Sequence, residues 1–257
     1  MKDIIEETNL TASIVICTLN NLKGLKVCIE SIENQKYKPC EIIIVHAGDF
    51  NHTENYIKKL NSISSLRYFF SSSIKSLIVQ RNIGIENATG DIIFFIDDDA
   101  IYGSEYLAKV MMVYNNNLDN NLGGVQGTIY QRKMKKLTIY NYVKKLFLST
   151  NINGNGTIQR SGYPSFLKYH PEPQYVKVFS GCMMSFKRDV LSDNKFNKRF
   201  EKYWWGDDFE ISYRISQNYK LIQIPDAIIY HENSSPTYEG MRKIWMMSVI
   251  NRKYIFD

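Results

Sequence analysis

The chain has 257 residues, 44% hydrophobic and 13% aromatic, which is enough apolar material for one sizeable core and excludes intrinsic disorder. The net charge of +6 modestly favours phosphorylated or acidic partners, anionic membrane surfaces among them. It is too weak to argue for nucleic acid, and no zinc-finger spacing or aromatic-basic RNA signature accompanies it.

Cys17, Cys28, Cys40 and Cys182 are scattered with no C-x-x-C pair, so reduced thiols and a cytoplasmic location are expected. The acidic start MKDIIEETNL has no signal core, and no run reaches the ~18 apolar residues of a membrane span. A soluble chain, or one peripheral at the inner face of a membrane, is expected. In chain order, residues 13–17 (SIVIC) are a short apolar run ending at Thr18-Leu19-Asn20. Leu22, Leu25, Cys28, Ile29 and Ile32 follow at helical spacing. Residues 41–45 (EIIIV) read as a second buried strand, 53–62 as a helix and 66–70 (LRYFF) as a third strand. Residues 75–88 read as a helix with Gly90 as its stop signal, and 91–96 as the fourth strand. Continuous apolar strands alternating with helices predict a parallel sheet covered on both faces. Such sheets bind ligands beyond the carboxyl ends of their strands, where Thr18, Asn20, His46 and Asp97–Asp99 fall.

The second half is less regular. Residues 136–148 (KLTIYNYVKKLFL) are amphipathic and basic, and 149–175 read as a long loop rich in Gly, Asn, Ser and Pro. Two short strands around 176–186 flank Gly181. A helix begins near Trp205-Gly206-Asp207, strands lie near 220–224 and 227–231, and a last helix covers about 238–255.

The apolar run DIIFFIDDD (91–99) ends on three adjacent carboxylates. Like charges so placed repel unless water or a cation compensates them. In D-x-D geometry Asp97 and Asp99 converge on one cation, while Asp98 points elsewhere, toward ribose or solvent. Mg²⁺ takes oxygen ligands of this kind together with substrate phosphates. A solvated turn is the competing reading. A second acidic cluster, WWGDDFE (204–210), offers a general base between tryptophans, or simply acids that offset a helix dipole. His231 ends the strand AIIY; two or three oxygens plus its imidazole suit Mn²⁺, although a lone histidine is more often structural. Arg81-Asn82 precedes the aspartate strand, and its guanidinium suits a diphosphate or an aspartate.

These pieces, in this order from about residue 13 to 254, resemble the family 2 glycosyltransferases of the GT-A fold. SIVICTLN is similar to the opening strand with its nucleotide-contacting Thr and Asn, and CIESIENQ followed by PCEIIIV to the next helix and strand. RNIGIENATGDIIFFIDDD resembles the family's central block and FSGCMMSFKRDV the pair of strands bearing the acceptor-side glycine. WGDDFEISYR resembles the block with the catalytic base, and IIYH the late strand whose His joins the metal shell.

The resemblance implies an α/β fold with a Rossmann-like, mostly parallel sheet flanked by helices and a smaller acceptor-side region. It implies one catalytic domain over 1–257, with about 11–130 binding the nucleotide sugar and about 131–257 the acceptor. Thr18, Asn20 and Arg81 then line the nucleotide, with Asp97 at the ribose, Asp98 beside it, and Asp99 and His231 on a Mn²⁺ or Mg²⁺ ion. Asp208 is the general base and Asp207 the neighbour that positions it. One block departs from the pattern: where the family shows a pair of acids, as in DDGS, this chain has His46-Ala47-Gly48-Asp49. Asp49 and His46 are the candidates to replace the base-reading acid, and the nucleobase is left unnamed.

The implied reaction is metal-dependent, inverting transfer from a nucleotide-diphosphate sugar to a hydroxyl of a glycan, lipid-linked or protein-linked acceptor, in polysaccharide or cell-envelope synthesis. Tyr163, Tyr169, Trp204 and Trp205 are candidates to stack on sugar rings, or core and lid packing. Lys133, Lys135, Lys136, Lys144 and Lys145 allow peripheral contact with an anionic membrane, and a partner transferase is compatible with the reading. The alternatives are a catalytically silent sugar- or nucleotide-binding relative or scaffold, a sugar nucleotidyltransferase, for which TLNNLKG is a poor phosphate loop, and an aspartyl phosphatase, for which DDDAIY lacks the following Thr.

Overall fold

The computed structural model describes residues 10–48, 50–60, 65–70, 75–116, 121–130, 154–159, 162–200, 205–231, 242, 246–247 and 250–251. The first half alternates β1 (Ala12–Leu19), α1 (Leu22–Glu33), β2 (Glu41–Ala47), α2 (Phe50–Lys59), β3 (Leu66–Phe70), α3 (Leu77–Asn87) and β4 (Ile92–Asp97). These four strands pair in parallel in the order β3-β2-β1-β4. Their period-2 side chains feed two cores. Ile14, Ile16, Ile42, Ile44, Phe94 and Ile96 pack on one face with Leu25, Cys28, Ile29 and Ile32 of α1. Val15, Ile43, Val45, Ile93 and Phe95 pack on the other with Ile78 and Ile85 of α3. Burial on both faces is why β1, β2 and β4 are built on near-continuous apolar runs.

Beyond β4 come β5 (Ala100–Tyr102), α4 (Tyr106–Asn116), β6 (Leu122–Ile129), β7 (Thr157–Ile158), β8 (Pro164–Ser165), β9 (Gln174–Val176) and β10 (Met184–Lys187). Then follow α5 (Arg188–Asp193), α6 (Asp207–Ile215) and β11 (Lys220–His231). The sheet continues as β4-β10-β6-β11-β5, with β9 also on β11. β10 runs antiparallel to β4 and β6, whereas β6 and β11 are parallel. The result is the expected mixed α/β fold around a mostly parallel sheet.

Some bounds differ from the sequence reading. α3 ends at Asn87 with Ala88 as its C-cap, so Gly90 is not the helix stop. A Cβ at Gly90 would lie 2.7 Å from the Ser13 backbone nitrogen, and close approach to β1 is what requires glycine there. The two strands read at 220–224 and 227–231 are one strand, β11, whose register shifts between Gln223 and Ile228 around Pro225, which has no N–H to give the ladder. The segment 136–148 and residues 149–153 lie outside the described residues, as do the cluster Lys133, Lys135, Lys136, Lys144 and Lys145, Trp204 and most of 238–255. No helix among the described residues is long and apolar enough to cross a membrane.

Candidate active site

β4 ends at Asp97, and Asp98-Asp99 form the turn into β5. β5 pairs antiparallel with β11 so that Ala100 lies opposite His231. This register brings the late histidine to the aspartate turn, with His231 Nε2 3.1 Å from Asp99 Oδ1. One ligand atom each of Asp97, Asp99 and His231 lies within 4.8 Å of the others. Two carboxylates and an imidazole at that spacing fit one hard-to-borderline divalent cation. The hydrogen bond from His231 holds the Asp99 carboxyl below its ordinary pKa.

Asp98 turns away from this group. Its Oδ2 accepts from Thr18 Oγ1 at 2.5 Å and its Oδ1 from Asn21 Nδ2 at 2.8 Å. Asn21 is the N-cap of α1, and its side-chain oxygen accepts from the Gly24 N–H at 3.1 Å. Asp98 therefore locks the aspartate turn to the first turn of α1 and leaves its two neighbours to face the cleft. The sequence reading did not single out Asn21; Asn one residue before an apolar-periodic run is an N-cap signal that identifies it. Thr18 is spent on the same clamp. Asn20 adopts a left-handed φ of 57° and packs against Gly48, where a Cβ would come 2.3 Å from Asn20 Oδ1. His46 is fully buried, with Nδ1 2.9 Å from the Tyr68 hydroxyl. Asp49 lies outside the described residues.

The second acidic cluster closes the other side of a cleft of about 270 Å³ lined by Arg81, Asp97, Gly181, Asp207, Asp208 and His231, among others. Gly206, at φ +98°, is the N-cap of α6 and turns the chain so that Asp207 and Asp208 open the helix. Asp207 is buried and ion-paired with Arg81. Asp208 is only half-buried; its Oδ2 accepts from the Gly181 N–H at 3.0 Å and its Oδ1 from the Phe209 N–H at 2.9 Å. Burial pushes both carboxyls above the ordinary aspartate value, and the Arg81 guanidinium pulls against that rise. Burial also disfavours the charge on Arg81, but Asp207 and Asp97 outweigh it and keep the guanidinium protonated. An aromatic wall flanks the cleft: Trp205 stands edge-on to Phe209 at 5.1 Å and to Tyr163 at 6.1 Å, and Phe166 edge-on to Phe209 at 6.5 Å. Tyr169 is exposed and is not among the cleft-lining residues. Phe166 escapes the sequence reading because nothing in a loop sequence says which aromatic turns inward.

Residues 13–194 match the family model described as glycosyl transferase family 2. The chain belongs to that family. Among the relatives, the GalNAc(5)-diNAcBac-PP-undecaprenol beta-1,3-glucosyltransferase of Campylobacter jejuni is 23% identical over 82% of this chain and 64% of its own length. The glucosyl-dolichyl phosphate glucuronosyltransferase of Haloferax volcanii is 26% identical over 88% of this chain and 68% of its own. The chain thus spans about two thirds of the length of these relatives. A mannosyltransferase from Pyrobaculum calidifontis, solved with GDP-Man and Mn²⁺, superposes with a TM-score of 0.67 at 17% identity over 97% of this chain and 65% of that one. The likeness establishes the GT-A fold. Within family 2, the sequence-predicted acids Asp97, Asp207 and Asp208 line one cleft with Arg81 and His231, and Asp99 adjoins it through His231, whereas Thr18 and Asp98 pair with each other.

Proposed function

We propose that the chain is a metal-dependent, inverting glycosyltransferase that moves a sugar from a nucleoside-diphosphate sugar to a hydroxyl of a glycan or lipid-linked acceptor. The observation that carries this reading is a cation-type triad, Asp97, Asp99 and His231, two of whose members, Asp97 and His231, line the same cleft as a separately held carboxylate, Asp208. Asp99 and His231, with Asp97 beside them, would hold a divalent cation, which would supply Lewis-acid stabilisation of the leaving diphosphate.

Asp207 is committed to Arg81, so Asp208 is the carboxylate left for proton transfer. Its two oxygens are oriented by backbone N–H groups, and burial raises its proton affinity, which suits a base. Asp208 takes the proton of the acceptor hydroxyl. The acceptor oxygen bonds the anomeric carbon as the bond from that carbon to the diphosphate oxygen breaks, and a single displacement inverts the centre. Trp205 and Phe166, backed by the buried Phe209, offer partly exposed rings on which an acceptor sugar stacks. The lipid-linked substrates in the names of the relatives support, by analogy, an acceptor of that class.

The test is Asp208→Asn, assayed for transfer and for nucleotide binding with Mn²⁺. Loss of a general base lowers the rate by about 10²–10⁴-fold while nucleotide binding persists. Unchanged transfer in this variant eliminates Asp208 as the base.

A further inference from the structure

The family resemblance gives Arg81 to the nucleotide, but its surroundings point elsewhere. The side chain is 4% exposed. One terminal nitrogen, Nη1, is spent on Asp207, and the other, Nη2, lies 3.3 Å from the Gly181 carbonyl and 3.5 Å from Asp97 Oδ1. The Phe196 ring lies against the guanidinium at 5.2 Å. Asn82 clamps that ring's backbone in both directions, donating to the Phe196 carbonyl at 3.0 Å and accepting from its N–H at 2.9 Å. The Arg-Asn pair is thus an anchored unit whose charged end faces protein on several sides.

Gly181 passes the anchor on. Its carbonyl accepts from Arg81, and its N–H donates to Asp208 Oδ2 at 3.0 Å. A Cβ on residue 181 would lie 2.9 Å from Arg81 Nη2 and 3.3 Å from the Asp208 Cβ, so the three groups are in contact. We infer that Arg81 is a positioning residue for the general base: it seats Asp208 through Gly181, fixes the first turn of α6 through Asp207, and ties both to the donor end of the cleft through Asp97. This rests on the reading of Asp208 as base. The planar fork of a guanidinium is what allows contacts in three directions; an ammonium at the same place keeps the charge and loses the span.

Removing Arg81 alone leaves Asp207 buried without its counter-ion, which harms the fold whatever the role in catalysis. The experiment therefore compares wild type, Arg81→Lys and the pair removal Arg81→Met/Asp207→Leu. For each, kcat, thermal midpoint and the dissociation constant of a nucleoside diphosphate with Mn²⁺ are measured. The expected result is a pair-removal variant that melts near the wild type and binds the nucleotide within about threefold of it, yet turns over about 100-fold more slowly, the scale of loss for a misplaced reacting group. Arg81→Lys is expected to show the same split, and it decides the matter if the double variant does not fold. Wild-type kcat in either folded variant overturns the inference. So does weakened nucleotide binding with kcat retained, which returns Arg81 to the nucleotide. A wild-type chain that transfers no sugar from any nucleotide donor overturns the proposed function itself, and this inference with it.

Discussion

Gly181 shows how little room the cleft gives a single residue. Its φ is not in the left-handed range, so glycine is required there by contact rather than by torsion. Gly181→Ala pushes a methyl against Arg81 and Asp208, and it is expected to lower kcat by about 10-fold or more while the thermal midpoint and nucleotide affinity hold; steady-state kinetics beside calorimetric titration check it. Asp208 also sets a pH dependence. As a base it works deprotonated, and burial raises its pKa above the ordinary 3.8. The acid limb of the rate profile is therefore expected above the usual aspartate range, with the rate falling as pH drops through it. A profile flat down to pH ~4 contradicts that placement.

At the scale of elements, the strand ends opposite the cleft are tied by Glu41, the first residue of β2. The side chain is almost fully buried, and Ser13 Oγ (2.6 Å), the Thr89 N–H (2.6 Å), Thr89 Oγ1 (2.9 Å) and Arg67 Nη1 (2.9 Å) all donate to it. Burial alone would raise its pKa, but these donors reverse that and bring it down from 4.5 to about 2. The folded state thus binds this proton less readily than the unfolded chain. Stability from Glu41 is complete above pH ~4.5 and is lost as pH falls toward ~2, a contribution of about 3 kcal/mol. Denaturant unfolding across that window is expected to show the loss in the wild type and little of it in a less stable Glu41→Gln variant. Glu41 opens the apolar run EIIIV, and nothing in the sequence marks it as a hub, because its donors come from β1, β3 and the α3–β4 connection. What the sequence does show is the repeating unit itself: β1, β2 and β4 are near-continuous apolar runs because helices cover both faces. β6, LGGVQGTI, carries no such signal. Its glycines are there because neighbouring chains pass close; a Cβ at Gly127 would lie 2.1 Å from the Ala227 carbonyl oxygen, and one at Gly124 2.8 Å from the Phe186 ring. α4 is signalled by buried Tyr106, Leu107, Val110, Met111 and Tyr114 at helical spacing, a pattern the sequence reading passed over. At the site, residue types forecast the acids and the histidine, but not their partners. That Arg81 pairs with Asp207, and that Asp98 belongs to Thr18 and Asn21, depends on side-chain directions fixed by tertiary packing.

Across the whole molecule, the cleft, with Asp99 adjoining it, joins groups far apart in the chain. Arg81, Asp97 and Asp99 come from the N-terminal half; Gly181, Asp207, Asp208 and His231 come from the C-terminal half. A ligand that engages both sets binds the folded chain and not the unfolded one. Its binding free energy therefore adds to global stability, about 2.7 kcal/mol at 100 times the dissociation constant, or a rise in the thermal midpoint of about 5–10 °C for a chain of this length. The carboxylates at the cleft outnumber its cations, so a diphosphate alone meets net repulsion there. The expected pattern is conditional: a nucleoside diphosphate with Mn²⁺ raises the midpoint, the same nucleotide with a chelator does not, and Mn²⁺ alone gives a smaller rise. His231→Ala removes one of the three candidate ligands, a side chain only 17% exposed and paired with Asp99. It is expected to lower the unliganded midpoint modestly, since a partner of Asp99 is lost, and to abolish most of the metal-dependent shift measured from that new baseline. Equal stabilisation by the nucleotide with and without metal would mean that the Asp97, Asp99 and His231 group does not bridge cation and diphosphate. Repeating the Mn²⁺ measurement with nucleoside diphosphates of different bases then names the nucleotide that the altered His46-Ala47-Gly48-Asp49 block accepts.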